Sequence, residues 1–594
     1  MVAWLVWAAA TAGALMFVFV LGSNVPYWDE WDWVPVLTGN QPVTAEFLWA
    51  QHNEHRLPLS RLVYLGLFAL FNDFRAGMAF NVLALSTASA LLIVAASKAR
   101  GEGSWTDGFV ALALLNLGHA DSMLWSFQVV FVLTTLLAAV ALGVVAGIRE
   151  TLSRGQAVGI AWPLTLAPFC GGPGVPLAVV AGAGFAWWAV RGPRGEGATG
   201  EGQPRPASRV LLIGLGFACW GVVAAYMFRH HAHPGHPPPA GMRASLRGAA
   251  EFLSLTLGSA GRWYWPWSAA VALGLVVATA TAVTVWWWRS RRDRLAAESL
   301  LLGLGALAAL AMAIGWGRSG FGPEAALVGR YATLAAPIAL WVYLAWCRLP
   351  WLRVGRAVQI ASFLAALGLY PVNFVTGREF GYVRRAGLQA LVVDLQGGMP
   401  LDEVVQRHRS DVNPFPVTLR EGLVMLRRLR LGPFSPDEDA APFRWRFPFL
   451  KEPLVVIHEG MMTSRADRVG GRPVIVVHPN GDLIFDVRPG VHKASGSFGL
   501  LPAFYDARPR PGEPTYDGTY YQATFAPDEG EPVVVLSRLL DPTRNPSDRG
   551  LRPFRVSLPG SGGKLILSTR FGPPGAPNAN GWNDWAFWAD IDFR

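Results

Sequence analysis

The sequence predicts a polytopic α-helical membrane domain, then a soluble α-helical linker, then an all-β sandwich. Three observations carry this. Of 594 residues, 52% are hydrophobic and only 15% charged, which argues against an ordinary soluble enzyme. Apolar windows such as 3–21, 76–96 and 269–288 reach the ~20 residues that cross a ~30 Å hydrocarbon layer. From residue 376 the composition turns polar, and short apolar runs bounded by Gly, Pro, Asn and Asp take over toward the C-terminus. The length alone asks for at least two units. The expected boundaries are 1–375 for the membrane domain, 376–442 for the linker and 443–594 for the β domain.

A ~20-residue window places about eleven spans. They run 3–21, 76–96, 107–117, 128–148, 156–170, 175–190, 210–228, 266–288, 297–316, 329–346 and 354–373. The first is too long for the apolar core of a cleaved signal peptide, and no small-x-small site precedes the acidic residues after it. The 107–117 span is short, and 156–170 is broken by Pro163 and Pro168, as in a half-helix hairpin turning at Gly171–Gly174. Residues 57–71 are apolar but number about fifteen, open with Pro58 and carry Arg61. They are read as a helix at the outer interface, which puts 29–75 in one external loop; a crossing there would reverse the side of the C-terminal domain.

The net charge of +10 does not call for nucleic acid. Lys98 and Arg100, Arg149 and Arg154, Arg191, Arg194, Arg205 and Arg209, Arg289 to Arg294, and Arg348, Arg353 and Arg356 gather in short loops between spans. Positive-inside bias accounts for them. It expects the inner (plasma) membrane, a cytoplasmic N-terminus and an extracytoplasmic C-terminal domain. Cys170, Cys219 and Cys347 lie in apolar spans and form no disulfide or zinc pattern.

In the linker, Leu401, Val404, Val405 and His408, then Leu419, Leu423, Leu426 and Leu429, recur at helical spacing. Beyond it, strands are expected at 473–477, 483–487, 520–525, 532–536, 554–558 and 564–569, with 478–482 (His-Pro-Asn-Gly-Asp) reading as a hairpin turn. Short strands at this spacing indicate a sandwich or jelly roll.

Trp28-Asp29-Glu30-Trp31-Asp32-Trp33 follows the first span directly. Acidic groups so close to hydrocarbon are costly and tend to be kept for chemistry or ion handling. Asp29 and Asp32 share a helical face, and an ionised carboxylate there can take a proton from a hydroxyl or hold a divalent cation, Mg or Mn, against a diphosphate. The alternative is an interfacial aromatic belt with solvated acids. No cofactor is required otherwise.

His52-Asn53-Glu54-His55-Arg56 adds a base, an amide, an acid and a guanidinium, and Arg56 with Arg61 can neutralise a phosphate. The same residues can instead cap the 57–71 helix through Asn53 or Glu54. His119, Asp121, Trp125 and Gln128, and then Arg318, Glu324, Arg330 and Tyr331, are further external polar positions. Positive-inside bias does not explain Arg330, which leaves a lipid phosphate or an ion pair with Glu324. Histidines 230, 231, 233 and 236 can chelate metal or simply populate a proline-rich loop. Near the C-terminus, Trp582, Trp585, Phe587 and Trp588 either stack on sugars or close the core.

An apolar first span, an acidic pair at its outer end, a His/Glu/Arg segment and Pro58 opening a juxtamembrane helix resemble the GT-C superfamily of membrane glycosyltransferases. The resemblance implies Asp29 as catalytic base with Glu30 beside it, and a polyprenyl-phosphate-linked sugar as donor. Read from the residues themselves rather than from the resemblance, whose pattern His52–Arg56 and Arg330-Tyr331 do not match, the candidate binding set is Asp32, His52, Glu54, His55, Arg56, Arg61, Asp121, Gln128, Arg318, Arg330 and Tyr331. The C-terminal part is similar to jelly-roll carbohydrate-binding modules in 517–520 (Asp-Gly-Thr-Tyr), 548–550 (Asp-Arg-Gly) and 584–588 (Asp-Trp-Ala-Phe-Trp). The expectation is inverting sugar transfer to an extracytoplasmic glycan, lipid or protein acceptor. The rival is a non-catalytic membrane protein that binds or moves an envelope glycan; the sugar and the acceptor stay open.

Overall fold

The computed structural model describes residues 1–191, 206–233, 236–396, 399–434, 455–458, 465–470, 472–477, 479–502, 518–572 and 585–594. The chain forms two compact units, Met1–Val25 with Gln41–Ala386, and Pro26–Asn40 with Gly387–Arg594.

The first unit is helical. Eight helices among the described residues are long and apolar enough to cross a membrane. They are α1 (Val2–Leu21), α2 (Arg75–Arg100), α3 (Ser126–Ala146), α4 (Gly174–Arg191), α5 (Arg209–Met227), α6 (Trp267–Arg289), α7 (Arg294–Phe321) and α8 (Leu352–Gln396). The apolar stretch of α3 is 78% buried, so it is the inner helix, whereas those of α6 and α8 are only 17% buried. Apolar side chains turned outward are what a hydrocarbon solvent permits. Small residues let helices approach where they do pack: Gly303 lies against the Trp341 ring, and Gly248 faces Gly315 backbone to backbone.

Three expected spans form shorter helices. Residues 107–117 give Gly108–Leu114, seven residues followed by a 3-10 turn Leu117–His119. Asn116 stops it: its amide donates to Leu112 O and Ala113 O, and its Oδ1 accepts from Gly118 N. Residues 156–170 give Arg154–Leu166, with Pro163 inside and a 3-10 turn after it, before α4 begins at Gly174. Residues 329–346 give Ala332–Arg348, of 17 residues. The Pro58–Phe71 helix has 14 residues and buries Ser60, Arg61, Tyr64 and Phe68 on one face, short of a crossing at 1.5 Å per residue. In contrast α8 runs 45 residues, far beyond the expected 354–373, and carries Pro371 within it.

In the second unit, the 3-10 helix Trp28–Trp33 packs beside the helix Pro416–Arg428. Trp31 is fully buried, with its ring against Gly422, where any Cβ would fall 2.6 Å away. The expected apolar positions Leu401, Val404, Val405, His408, Leu419, Leu423 and Leu426 are buried, while Leu429 is exposed.

Among the described residues the remainder is mainly antiparallel strand: β1 (Val455–His458), β2 (Arg465–Val469), β3 (Arg472–Val477), β4 (Gly481–Val487), β5 (Lys493–Leu500), β6 (Thr519–Pro527), β7 (Val533–Leu540), β8 (Arg552–Ser557), β9 (Gly563–Phe571) and β10 (Ala586–Phe593). They make two five-stranded sheets, β8-β5-β10-β3-β2 and β1-β4-β9-β6-β7. Both sheets contribute to one core around Phe485, Phe498, Tyr521, Leu567 and Trp588.

One expectation is corrected here and one alternative is decided. The turn after Val477 is not a hairpin: β3 and β4 lie in different sheets, and Asn480, at φ 65°, donates its N–H to Thr569 O of β9. Of the two readings of the C-terminal aromatics, Phe587 and Trp588 follow the core one: both are wholly buried, so neither ring is available to a sugar. Asp517, Trp582 and Asp584 lie outside the described residues, as does His478.

Candidate functional site

The arginine-bearing helix ends of the first unit meet one another. Arg292 pairs with Glu150 at 2.5 Å, Arg191 with Glu298, and Arg348 donates to Ile148 O. Arg100 pairs with Asp107 at 2.6 Å, and the Tyr343 hydroxyl donates to the same carboxylate. These cations bind one another's loops together. Those polar groups singled out for chemistry that belong to this unit gather elsewhere in it, mainly in two clusters.

The first is a two-residue hairpin, Gln51–His52 paired with His55–Arg56, turning at Asn53 with φ 52°. Arg56 is buried, and its guanidinium donates to the carbonyls of Trp49, Tyr226 and Phe228 at 2.8–3.0 Å, and to Arg229 at 3.3 Å. Arg61 donates to the carbonyls of Phe47, Leu48 and Ala50, closing the short helix Ala45–Trp49. Burial pulls its guanidinium down to about 10, still cationic at neutral pH. Both arginines therefore hold backbone, and the phosphate role expected for them is withdrawn.

Glu54 Oε1 lies 2.6 Å from His236 Nδ1, and its carbonyl is 2.9 Å from His230 Nε2. His55 packs so closely on Gly172 that a Cβ there would lie 2.7 Å from Nδ1. Burial lowers the His55 pKa to about 4; Glu54 opposes the shift, while Arg318, His52 and His230 add to it. The ring is thus neutral at pH 7.

The second cluster sets arginines on aromatic faces. Arg384 of α8 pairs with Asp121 at 3.1 Å and lies 5.6 Å over the Trp125 ring. Arg330 lies 5.9 Å from the Trp125 ring and 5.7 Å from that of Tyr331; Arg318 lies 5.6 Å from Tyr331 on its own account. Rings hold the guanidiniums by cation–π attraction. Arg384 and Arg330 beside Asp121, with Arg318 on the ring of Tyr331, make a cationic centre whose guanidiniums suit bidentate binding of an anion such as phosphate. Glu324 is exposed and forms no ion pair with Arg330 among the described residues; its amide instead donates to the buried Glu251. His119 is buried with Nδ1 3.1 Å from Thr333 Oγ1 and Nε2 2.8 Å from Ala113 O, which is the bonding of a core histidine.

Beside this centre opens a cavity of about 540 Å³ between α6, α8 and the Ala332–Arg348 helix, lined by Leu257, Gly261, Tyr264, Leu275, Val342 and Leu369 among others. The lining is almost wholly apolar, on the two helices that bury least of their surface. Asn373 anchors the segment at the cavity edge: its Nδ2 donates to Leu257 O, its Oδ1 accepts from Ala260 N, and Gly118 packs against it. Gly329 lies between Ser259 and Asp121.

In the second unit, Asp29 is half-buried and Asp32 exposed, three residues apart on a 3-10 helix, where such positions eclipse. They share a face, as expected. Glu30 does not belong with them. It is fully buried and its Oε2 accepts from Tyr27 N at 2.8 Å, so it caps the turn rather than reacting. Trp28 N donates to Val412 O, and Asn413 Nδ2 to Trp28 O, which fixes where the acids start.

Arg384, Asn373 and the cavity were not anticipated. Arg384 had the signal that marked Arg330: a guanidinium past the last expected span, away from the arginine-rich loops. No family model matches the chain, and no curated protein matches it either.

Proposed function

We propose that this protein is an integral-membrane glycosyltransferase that moves a sugar from a polyprenyl-phosphate donor to an acceptor outside the cytoplasm. The observation that carries the reading is the adjacency of the Arg318–Arg330–Arg384 centre to an apolar cavity of about 540 Å³, through Gly329 and the 257–261 segment that Asn373 anchors. A lipid-linked sugar phosphate has an anionic head and a long hydrocarbon tail, and those two surfaces match its two halves. Arg330 and Arg384 bind the phosphate, and the cavity takes the first part of the tail.

In the transfer, the acceptor hydroxyl attacks the anomeric carbon from the face opposite the phosphate. The bond from that carbon to the phosphate oxygen breaks, and its electron pair leaves with polyprenyl phosphate. The arginines stabilise the charge that grows on this oxygen. The hydroxyl proton goes to Asp29, assigned as base from the GT-C resemblance and its half-exposed carboxylate. Asp29 and Asp32 on one face also suit Mg or Mn. The two-sheet C-terminal region is read as a jelly-roll module that engages a glycan acceptor, outside the membrane with the arginine-rich loops in the cytoplasm.

Purified protein is offered labelled polyprenyl-phosphate mannose, arabinose, glucose and aminoarabinose. Release of polyprenyl phosphate from at least one, lost on Arg330→Ala, supports the reading. Binding of a donor without release would transfer the case to a glycan-binding or transport protein.

A further inference from the structure

Two buried polar atoms, Gln128 Oε1 and the Tyr331 hydroxyl, have no hydrogen-bond partner among the described residues. Both side chains are enclosed, Gln128 being 3% and Tyr331 1% exposed. Unpaired buried polar atoms are rare because desolvation is uncompensated, and each asks for an explanation. Gln128 stands three residues from Trp125 and three from Phe131. The Trp125 ring faces Arg330, and the Phe131 ring stacks on Tyr331 at 5.7 Å and 30°. Arg330 also lies over the Tyr331 ring. The phenol is thus one of the rings that hold the cations, and the Gln128 amide lies on the stretch between the two other rings, Trp125 and Phe131, that meet them or Tyr331.

Their chemistry differs from that of their neighbours. An amide and a phenol are neutral, so they complement a neutral group better than a phosphate, which the guanidiniums attract. A hydroxyl both donates and accepts, so it satisfies Gln128 whichever way the amide is turned, and Tyr331 as well. We infer that Gln128 and Tyr331 form a subsite for a ring hydroxyl of the sugar carried on the phosphate, and that they set donor selectivity. The inference rests on the transferase reading above. A site built to bond a hydroxyl rejects the analogue that lacks it far more strongly than an apolar pocket rejects an extra one.

The test compares kcat/KM for the best lipid-phosphate sugar with its singly deoxygenated analogues. Wild type is expected to favour the parent over one particular deoxy sugar by about 100-fold or more, and Tyr331→Phe or Gln128→Met to shrink that ratio at least about tenfold. Both variants keep the volume of the side chain. Ser89→Ala, which removes another buried unpartnered hydroxyl, on α2, should leave the ratio unchanged. An unchanged ratio in both Tyr331→Phe and Gln128→Met overturns the subsite while leaving the transferase intact. A wild type that turns over no donor overturns the transferase reading and the subsite with it.

Discussion

Arg384 donates from Nη2 to Asp121 Oδ1 over 3.1 Å, with 6% and 13% of their side chains exposed. With Arg330 following Gly329, which abuts Asp121, the carboxylate offsets part of the repulsion between two permanent cations. Asp121→Asn is expected to destabilise the ligand-free protein by about 3 kcal/mol, since breaking a buried pair leaves a charge uncompensated. It should also strengthen anion binding. Thermal unfolding in detergent, with and without pyrophosphate, reads both effects: the midpoint falls without ligand, and pyrophosphate restores more of it than it adds to wild type. A smaller pyrophosphate shift in the variant would remove the anion centre.

Asp29 and Glu30 are neighbours with opposite fates. Asp29→Asn keeps the shape of a half-exposed side chain and should lower transfer by at least about 100-fold, the usual worth of a general base, with the melting temperature unchanged. Glu30→Ala removes the acceptor for Tyr27 N and should cost about 1 kcal/mol of stability. Its kcat should stay within about twofold of wild type, far from the loss a base would show. Near-normal transfer by Asp29→Asn would exclude it from the mechanism.

The His55 pKa of about 4 in the folded protein lies below the ordinary 6.5. The unfolded chain therefore binds the extra proton first, and stability is full above pH 6.5 and lost as the pH falls toward 4. The slope from this residue is at most about 1.4 kcal/mol per pH unit. Melting temperatures measured from pH 7.5 to 5 should fall, and His55→Gln should flatten the fall. Equal slopes for the two proteins would mean that other groups govern it.

Hydropathy legibly marked a membrane chain because a window sum reports side-chain transfer into hydrocarbon, and α1, α2 and α6 depend on little else. Strand alternation likewise found β4, β6 and β9, each half-buried on one face. What escaped depends on partners that local pattern does not encode. The carbonyls of Tyr226 and Phe228 lie 170 and 172 residues from Arg56, so nothing near it distinguishes a phosphate ligand from a scaffold bolt. Asn116 ended a helix by capping it, which a hydropathy window cannot register. The acids of 28–33 were legible as a unit, but Glu30's cap was hidden in the same six letters as Asp29.

Filling the apolar cavity tests the tail assignment apart from the chemistry. Ala272 and Ala361 line it from α6 and α8; Ala361 is exposed and Ala272 half-buried, so phenylalanine at either enters open space rather than packed core. Ala272→Phe and Ala361→Phe are expected to raise KM for a donor with a full-length prenyl chain at least about tenfold with kcat within about twofold, because what is lost is binding made equally in the ground and transition states. A donor with a chain of only two isoprene units does not need the cavity and should show the wild-type KM in both variants. If the two chain lengths responded alike, the hydrocarbon would lie elsewhere, and the adjacency of cavity and arginine centre would no longer argue for a lipid-linked substrate.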